Sequence, residues 1–211
     1  MDRGLIGQIA TPASGNIVTA GRDWCADNGV YGGTYPGDAA YLSWLGDRAH
    51  LAGRCAFVVA PDVIERKADG TLLPDAAGTL ARSEPMLPGI RALGYPAGFA
   101  AQDGCETPGM IPWDRLDVLF LAGTTAWKLG PDGRALTFEA HRRGKRVHMG
   151  RVNSRTRVQY AAAIGCDSVD GTYLAFGPDR NLPRLLGWLA ELDRQPALFD
   201  LPGRAPVEVA R

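Results

Sequence analysis

Three aspartates close short strand-like segments in this chain. Asp27 ends Trp24-Cys-Ala-Asp27, Asp62 follows Cys55–Ala60, and Asp170 ends Cys166-Asp-Ser-Val-Asp170. Gln102, Gly123 and Gly150 follow the apolar runs Pro96–Ala101, Val118–Ala122 and Val147–Met149. Two carboxylates that meet across a sugar can divide the work of glycosyl transfer: one attacks the anomeric carbon and the other protonates the leaving group. That division at neutral pH requires environments that push the two pKa values apart. A single strand-end aspartate more often caps a turn. Three of them, each beside Gly, Pro or Asn, point to a shared site.

The elements that would position these residues follow from the pattern. The runs Leu5–Ala10, Trp24–Asp27, Cys55–Ala60, Pro96–Ala101, Val118–Ala122, Arg146–Met149 and Ser168–Asp170 have strand length. Several are continuously apolar, as strands buried on both faces must be. Tyr173–Phe176 or the stretch between Ile17 and Trp24 could supply an eighth strand. Helical signals separate most runs. Asp38 can cap a helix reaching Gly46 to Leu51. Ala76–Arg82 and Pro85–Leu93 read as an interrupted helix, with Ser83 capping its second half. Ala135–Arg143 is followed by Gly144, Ser154 opens a helix that Gly165 stops, and Asn181 can cap a last one. Glu65–Gly70 reads as a loop. Strand and helix in alternation predict an α/β fold with a parallel sheet, and polar residues at C-terminal strand ends are where such sheets carry chemistry. A small, irregular (β/α)8 TIM-like barrel of 7–8 parallel strands fits best. Periodicity alone does not separate a barrel from an open sheet, although no Gly-x-Gly-x-x-Gly follows the first strand.

The chain has 211 residues, 45% hydrophobic, with 23 basic and 23 acidic side chains. The length suits a single catalytic domain over 1–195, with a Pro-, Gly- and Arg-rich tail over 196–211. Zero net charge carries no hint of a polyanionic partner, but the distribution does. Between Glu139 and Asp167 there is no acid, while Arg142, Arg143, Lys145, Arg146, Arg151, Arg155 and Arg157 fall inside. That stretch is either a solvated surface or a phosphate-binding rim. The four cysteines are widely spaced, so neither a zinc knuckle nor a disulfide framework is expected. No run approaches membrane-spanning length and no signal-peptide pattern opens the chain, so a reducing cytoplasm is the expected compartment.

Six segments in order resemble the tRNA-guanine transglycosylases. Asp27-Asn-Gly-Val-Tyr31 resembles their Asp-Ser-Gly-Gly-Phe/Tyr, and Ala60-Pro-Asp62 the strand end with the base-reading aspartate. Ala100-Ala-Gln-Asp-Gly104 resembles Val-Gln-Gly-Gly, Leu121-Ala-Gly123 resembles Gly-Gly-Leu, and His148-Met-Gly150 resembles Leu-Met-Gly. Gly165-Cys-Asp-Ser-Val-Asp170 resembles Gly-x-Asp-x-x-Asp, which carries the nucleophile. The likeness runs from about Trp24 to Gly171. It is closest to the compact phage and bacterial deoxypurine-in-DNA protein A (DpdA) family, which inserts a 7-deazaguanine base into DNA.

The resemblance implies a base-exchanging glycosyltransferase with no cofactor. Asp170 would be the nucleophile and Asp27 the general acid/base. Asp62, Gln102, Gly123 and Gly150 would surround the base, with Tyr31 and Met149 sandwiching it. The plainer readings are a turn-tip aromatic for Tyr31 and a core filler for Met149. Arg151 and Arg155 would lie near flanking phosphates of DNA, ahead of tRNA as partner. The family's Cys-x-Cys-x-x-Cys zinc site has no counterpart, so no metal is expected. Where the family often has a glutamate near the incoming base's substituent, an ungapped match gives Lys128. That cation would suit a nitrile, amide or carboxylate better than an aminomethyl group. The short barrel leaves a homodimer or a partner protein open. A hydrolase that resolves the same intermediate with water, and a non-catalytic nucleic-acid-binding barrel, are the competing readings.

Overall fold

The computed structural model describes residues 6–18 and 21–192. Among them nine strands form: β1 (Gln8–Ala10), β2 (Trp24–Ala26), β3 (Cys55–Val59), β4 (Ile64–Arg66), β5 (Leu72–Pro74), β6 (Ala97–Ala101), β7 (Val118–Leu121), β8 (Arg146–Met149) and β9 (Ser168–Val169). Seven of them make one sheet in the order β1-β2-β3-β6-β7-β8-β9. Every pairing within it is parallel. Neighbours in space are neighbours in chain order, the winding of a barrel rather than of a doubly wound open sheet. The sheet curls into a half-barrel flanked by helices, an irregular α/β barrel, with β1 and β9 as its edges.

Among the described residues seven α-helices flank the sheet: α1 (Asp38–Gly46), α2 (Ala76–Ser83), α3 (Leu87–Ala92), α4 (Thr125–Lys128), α5 (Pro131–Arg142), α6 (Arg155–Ile164) and α7 (Pro178–Leu192). Strand alternation sorts the core into layers. Phe99, Leu119, Leu121, Val147 and Met149 pack with Leu136 and Ala140 of α5 and Val158 and Ala161 of α6. Trp24, Val58 and Ala97 pack with Tyr41 and Leu45 of α1 and Leu87 and Ile90 of α3. Phe57, Val59, Ala100 and Val118 turn the other way and fill the concave side, joined by Cys25 and Phe120.

Local structure departs from the sequence pattern at several points. The predicted loop at Glu65–Gly70 is instead the end of strand β4, at Glu65 and Arg66, and the turn from Lys67 to Gly70 of an antiparallel hairpin, β4–β5. Tyr173–Phe176 is a turn of 3-10 helix, not a strand. Ser83 ends α2 and donates to the Pro61 carbonyl instead of capping α3. Asn181 lies inside α7, where its amide closes the preceding turn through the Tyr173 and Phe176 carbonyls. Asp38 is the first residue of α1, behind Gly37. Ser154 caps α6 as expected, and Gly165 ends it in the left-handed conformation that its position demands. Residues 1–5, residues 19–20 of the other candidate eighth strand, and the tail 196–211 lie outside the described residues.

Candidate active site

Asp27, Asp62, Gln102, Gly123, Gly150 and Asp170 all follow the C-terminal ends of sheet strands, so parallel pairing brings them to one mouth. Their side chains fall into two groups. Asp62 is buried, with Oδ1 accepting from Asn28 Nδ2 at 3.1 Å and Oδ2 accepting from Gln102 Nε2 at 2.9 Å. Gln102 Oε1 accepts the Asp75 backbone N–H, and Asn28 Nδ2 also donates to the Ala60 carbonyl. These bonds fix both planes of a donor–acceptor edge. Burial pushes the Asp62 carboxyl up, and the amides of Asn28 and Gln102 oppose that.

The second group surrounds Asp170. Its Oδ1 lies 3.2 Å from His148 Nε2 and accepts the Arg151 backbone N–H at 3.2 Å. Asp27 feels the charge of both groups. Burial, then the nearby charges of Asp62 and Asp170, pushes its carboxyl up to about 6, while the N–H groups of Asn28 and Gly29 pull the other way. A carboxyl raised to about 6 near a second carboxyl is able to supply a proton to a leaving group close to neutral pH.

The glycines here are explained by close approach. A Cβ at Gly150 would stand 2.6 Å from the Phe120 ring and 3.1 Å from Asp170 Oδ1. One at Gly123 would stand 2.5 Å from Trp127 and 2.6 Å from Asp103 Oδ2. Asp103 is itself held by the Thr124 N–H and hydroxyl, each at 2.7 Å, which ties the β6 exit to the β7 exit.

Other expected site residues fall differently. Met149 is fully buried among the residues that face α5 and α6. It does not sandwich a ring with Tyr31, because consecutive strand residues point to opposite faces and His148 takes the concave one. Tyr31 is half exposed at the mouth, and its aromatic face is covered by the Arg151 guanidinium, 5.0 Å away. That guanidinium also donates to the Ala122 carbonyl at 2.6 Å and to the Gly123 carbonyl. Arg151 is thus turned into the mouth rather than toward flanking phosphates, on a backbone with φ of 59°. Arg155 is exposed but ion-paired to Glu191 of α7 at 2.7 Å. Arg142 and Arg143 pair with Glu139. Lys128 is fully buried and donates to the Gly150 carbonyl. Burial and Arg151 push its ammonium down to about 7, against the pull of Asp170.

Two residues at the mouth, Asn28 and His148, carry no role on sequence grounds. Their signals are nonetheless present: Asn28 directly follows an aspartate at a strand end, and His148 lies two residues before Gly150 on the same strand face. Among the described residues no cluster of His, Cys, Asp or Glu could hold a metal ion. Nor is any helix among them long and apolar enough to cross a membrane. The four cysteines are free thiols. A cleft lined by Arg22, Trp24, His50 and Arg54 lies at the N-terminal ends of β2 and β3, opposite the carboxylates. No protein-family model matches the chain, and a search of curated proteins finds no match.

Proposed function

We propose that the chain is a base-exchanging glycosyltransferase acting on guanine in DNA, ahead of tRNA, with a 7-deazaguanine as the incoming base. The observation that carries the reading is the Asp27–Asp170 pair: one carboxyl holds its proton up to about pH 6, and the other accepts two hydrogen bonds on one oxygen. Asp170 attacks C1′ as the C1′–N9 bond to guanine breaks. The electron pair leaves with the base, and Asp27 supplies the proton that neutralises it. In the second half the incoming base gives its proton to Asp27, attacks C1′ and displaces Asp170. Atoms balance without a cofactor.

Asp62 and Gln102, held edge to edge, form a rigid set of acceptor and donor atoms suited to the polar edge of a purine. Tyr31 offers a stacking face once Arg151 moves aside.

The test uses a duplex oligonucleotide carrying radiolabelled guanine, with tRNA in parallel. The expected result is release of label that depends on added 7-deazaguanine base, with a protein–nucleic acid adduct that survives denaturing electrophoresis. Release that needs no incoming base would make the protein a hydrolase. Absence of both release and adduct, or release by Asp170→Asn at the wild-type rate, would overturn the assignment.

A further inference from the structure

We infer that His148 is a positioning residue for Asp170, fixed by Ser168 as the third member of a hydrogen-bonded array on the concave side of the sheet; the inference rests on Asp170 being the nucleophile. The array is built by register. His148 of β8 pairs directly with Ser168 of β9, and Met149 with Val169. Period-two alternation puts Ser168 and Asp170 on the same face, and one imidazole spans the gap between them. Nδ1 lies 2.8 Å from Ser168 Oγ and Nε2 lies 3.2 Å from Asp170 Oδ1.

The ring is only 4% exposed. It is held at 4.8 Å from the Phe57 ring, tilted 53°, and at 5.1 Å from Phe120, tilted 63°. A ring wedged this way keeps its plane, so its Nε2 keeps its direction. A carboxylate accepts only, so the ring nitrogen facing it must carry the proton. In the neutral ring Nδ1 is then the acceptor, and the Ser168 hydroxyl, which can rotate, donates to it. Serine therefore selects the tautomer that donates to aspartate.

The consequence is geometric. Both donors to Asp170, the imidazole and the Arg151 N–H, converge on Oδ1. Among the described residues no hydrogen bond reaches Oδ2. Anchoring one oxygen while leaving its twin open fixes the direction from which the carboxylate attacks. A plain core histidine would satisfy its nitrogens without regard to which carboxylate oxygen it met.

The experiment compares wild type, His148→Phe, His148→Gln, Ser168→Ala and Asp170→Asn in single-turnover adduct formation on a guanine-containing DNA oligonucleotide. Oligonucleotide affinity is measured beside each rate. Phe keeps the ring between Phe57 and Phe120 but donates nothing. It should lower the adduct rate about 100-fold, the scale of a misdirected reacting group, at unchanged affinity. Gln retains an N–H donor and should recover a large part of that loss. Ser168→Ala, at an exposed position that tolerates the change, should lower the rate a few-fold. Independently of turnover, nitrogen-15 NMR of labelled histidine should show His148 protonated on Nε2. Wild-type rates in the Phe and Ala variants, with Asp170→Asn inactive, would overturn the role of His148 and leave the transglycosylase reading standing. So would a ring protonated on Nδ1 and not on Nε2. If His148→Phe does not fold, a wild-type rate in the Ala variant together with a ring protonated on Nδ1 and not on Nε2 overturns the role equally. Adduct formation by Asp170→Asn at the wild-type rate, or none by wild type on DNA or tRNA, would overturn the reading and this role with it.

Discussion

Replacing Asp27 with Asn should make the protein more stable and inactive, and the stability gain should depend on pH. The Asp27 carboxyl is displaced from its ordinary 3.8 to about 6 in the fold. That displacement corresponds to about 3 kcal/mol between the two protonation states. The sign follows from proton binding. The folded chain holds the Asp27 proton more tightly than the unfolded chain, so ionisation costs the fold stability. The cost is absent below the unfolded value, grows between about pH 4 and 6, and is complete above that window. An amide does not ionise and escapes the cost. It accepts the Asn28 and Gly29 N–H groups less strongly than a carboxylate, which offsets roughly 1 kcal/mol. The net expectation is a variant about 2 kcal/mol more stable than wild type at about pH 7.5, and within about 1 kcal/mol of it at about pH 4. Urea denaturation at the two pH values, followed by tryptophan fluorescence, measures this. Base exchange by the same variant should fall by several orders of magnitude, the scale of catalytic-group deletions. An Asn variant less stable than wild type at the higher pH, or equally stabilised at both, would refute the argument that Asp27 is strained by burial and by Asp62 and Asp170.

Asp170→Asn should abolish label exchange while shifting the thermal midpoint by only a few degrees, because the position is a partly exposed strand end; exchange at the wild-type rate would refute it. Gly150→Ala should destabilise by about 1–3 kcal/mol, since the new methyl meets Phe120 and Asp170, and should depress exchange beyond what the stability loss explains. The Lys128 ammonium is pushed down to about 7, so its charge costs the fold stability below that value, and stability is gained as pH rises from about 7 toward 10; Lys128→Met should flatten that rise in pH-dependent denaturation curves. Arg155→Ala should cost no more than about 0.5 kcal/mol, because its pairing with Glu191 is exposed, and should leave the salt dependence of oligonucleotide binding unchanged.

The main sheet of this fold was legible in the sequence. All seven sheet strands lie within the predicted strand segments, and the positions of Asp27, Asp62, Gln102 and Asp170 at their ends placed them at one mouth. Local chemistry suffices for this: buried parallel strands must be apolar, and polar residues must wait for the strand to end. What the pattern could not supply was the direction of each side chain. His148, Met149 and Gly150 share one apolar segment, and only the pairing of β8 with β7 and β9 decides that His148 faces Asp170 and Met149 faces the helices. Arg151 reads as a phosphate contact in a basic stretch. In the fold its backbone takes a positive φ, and its guanidinium turns back onto Ala122, Gly123 and Tyr31. Arg155 is likewise claimed by Glu191, 36 residues away in the chain. Composition and spacing determined which residues reach the mouth. Tertiary packing alone decided that the Asp27 carboxyl is raised, because that depends on burial and on the charges of Asp62 and Asp170 at two other strand ends.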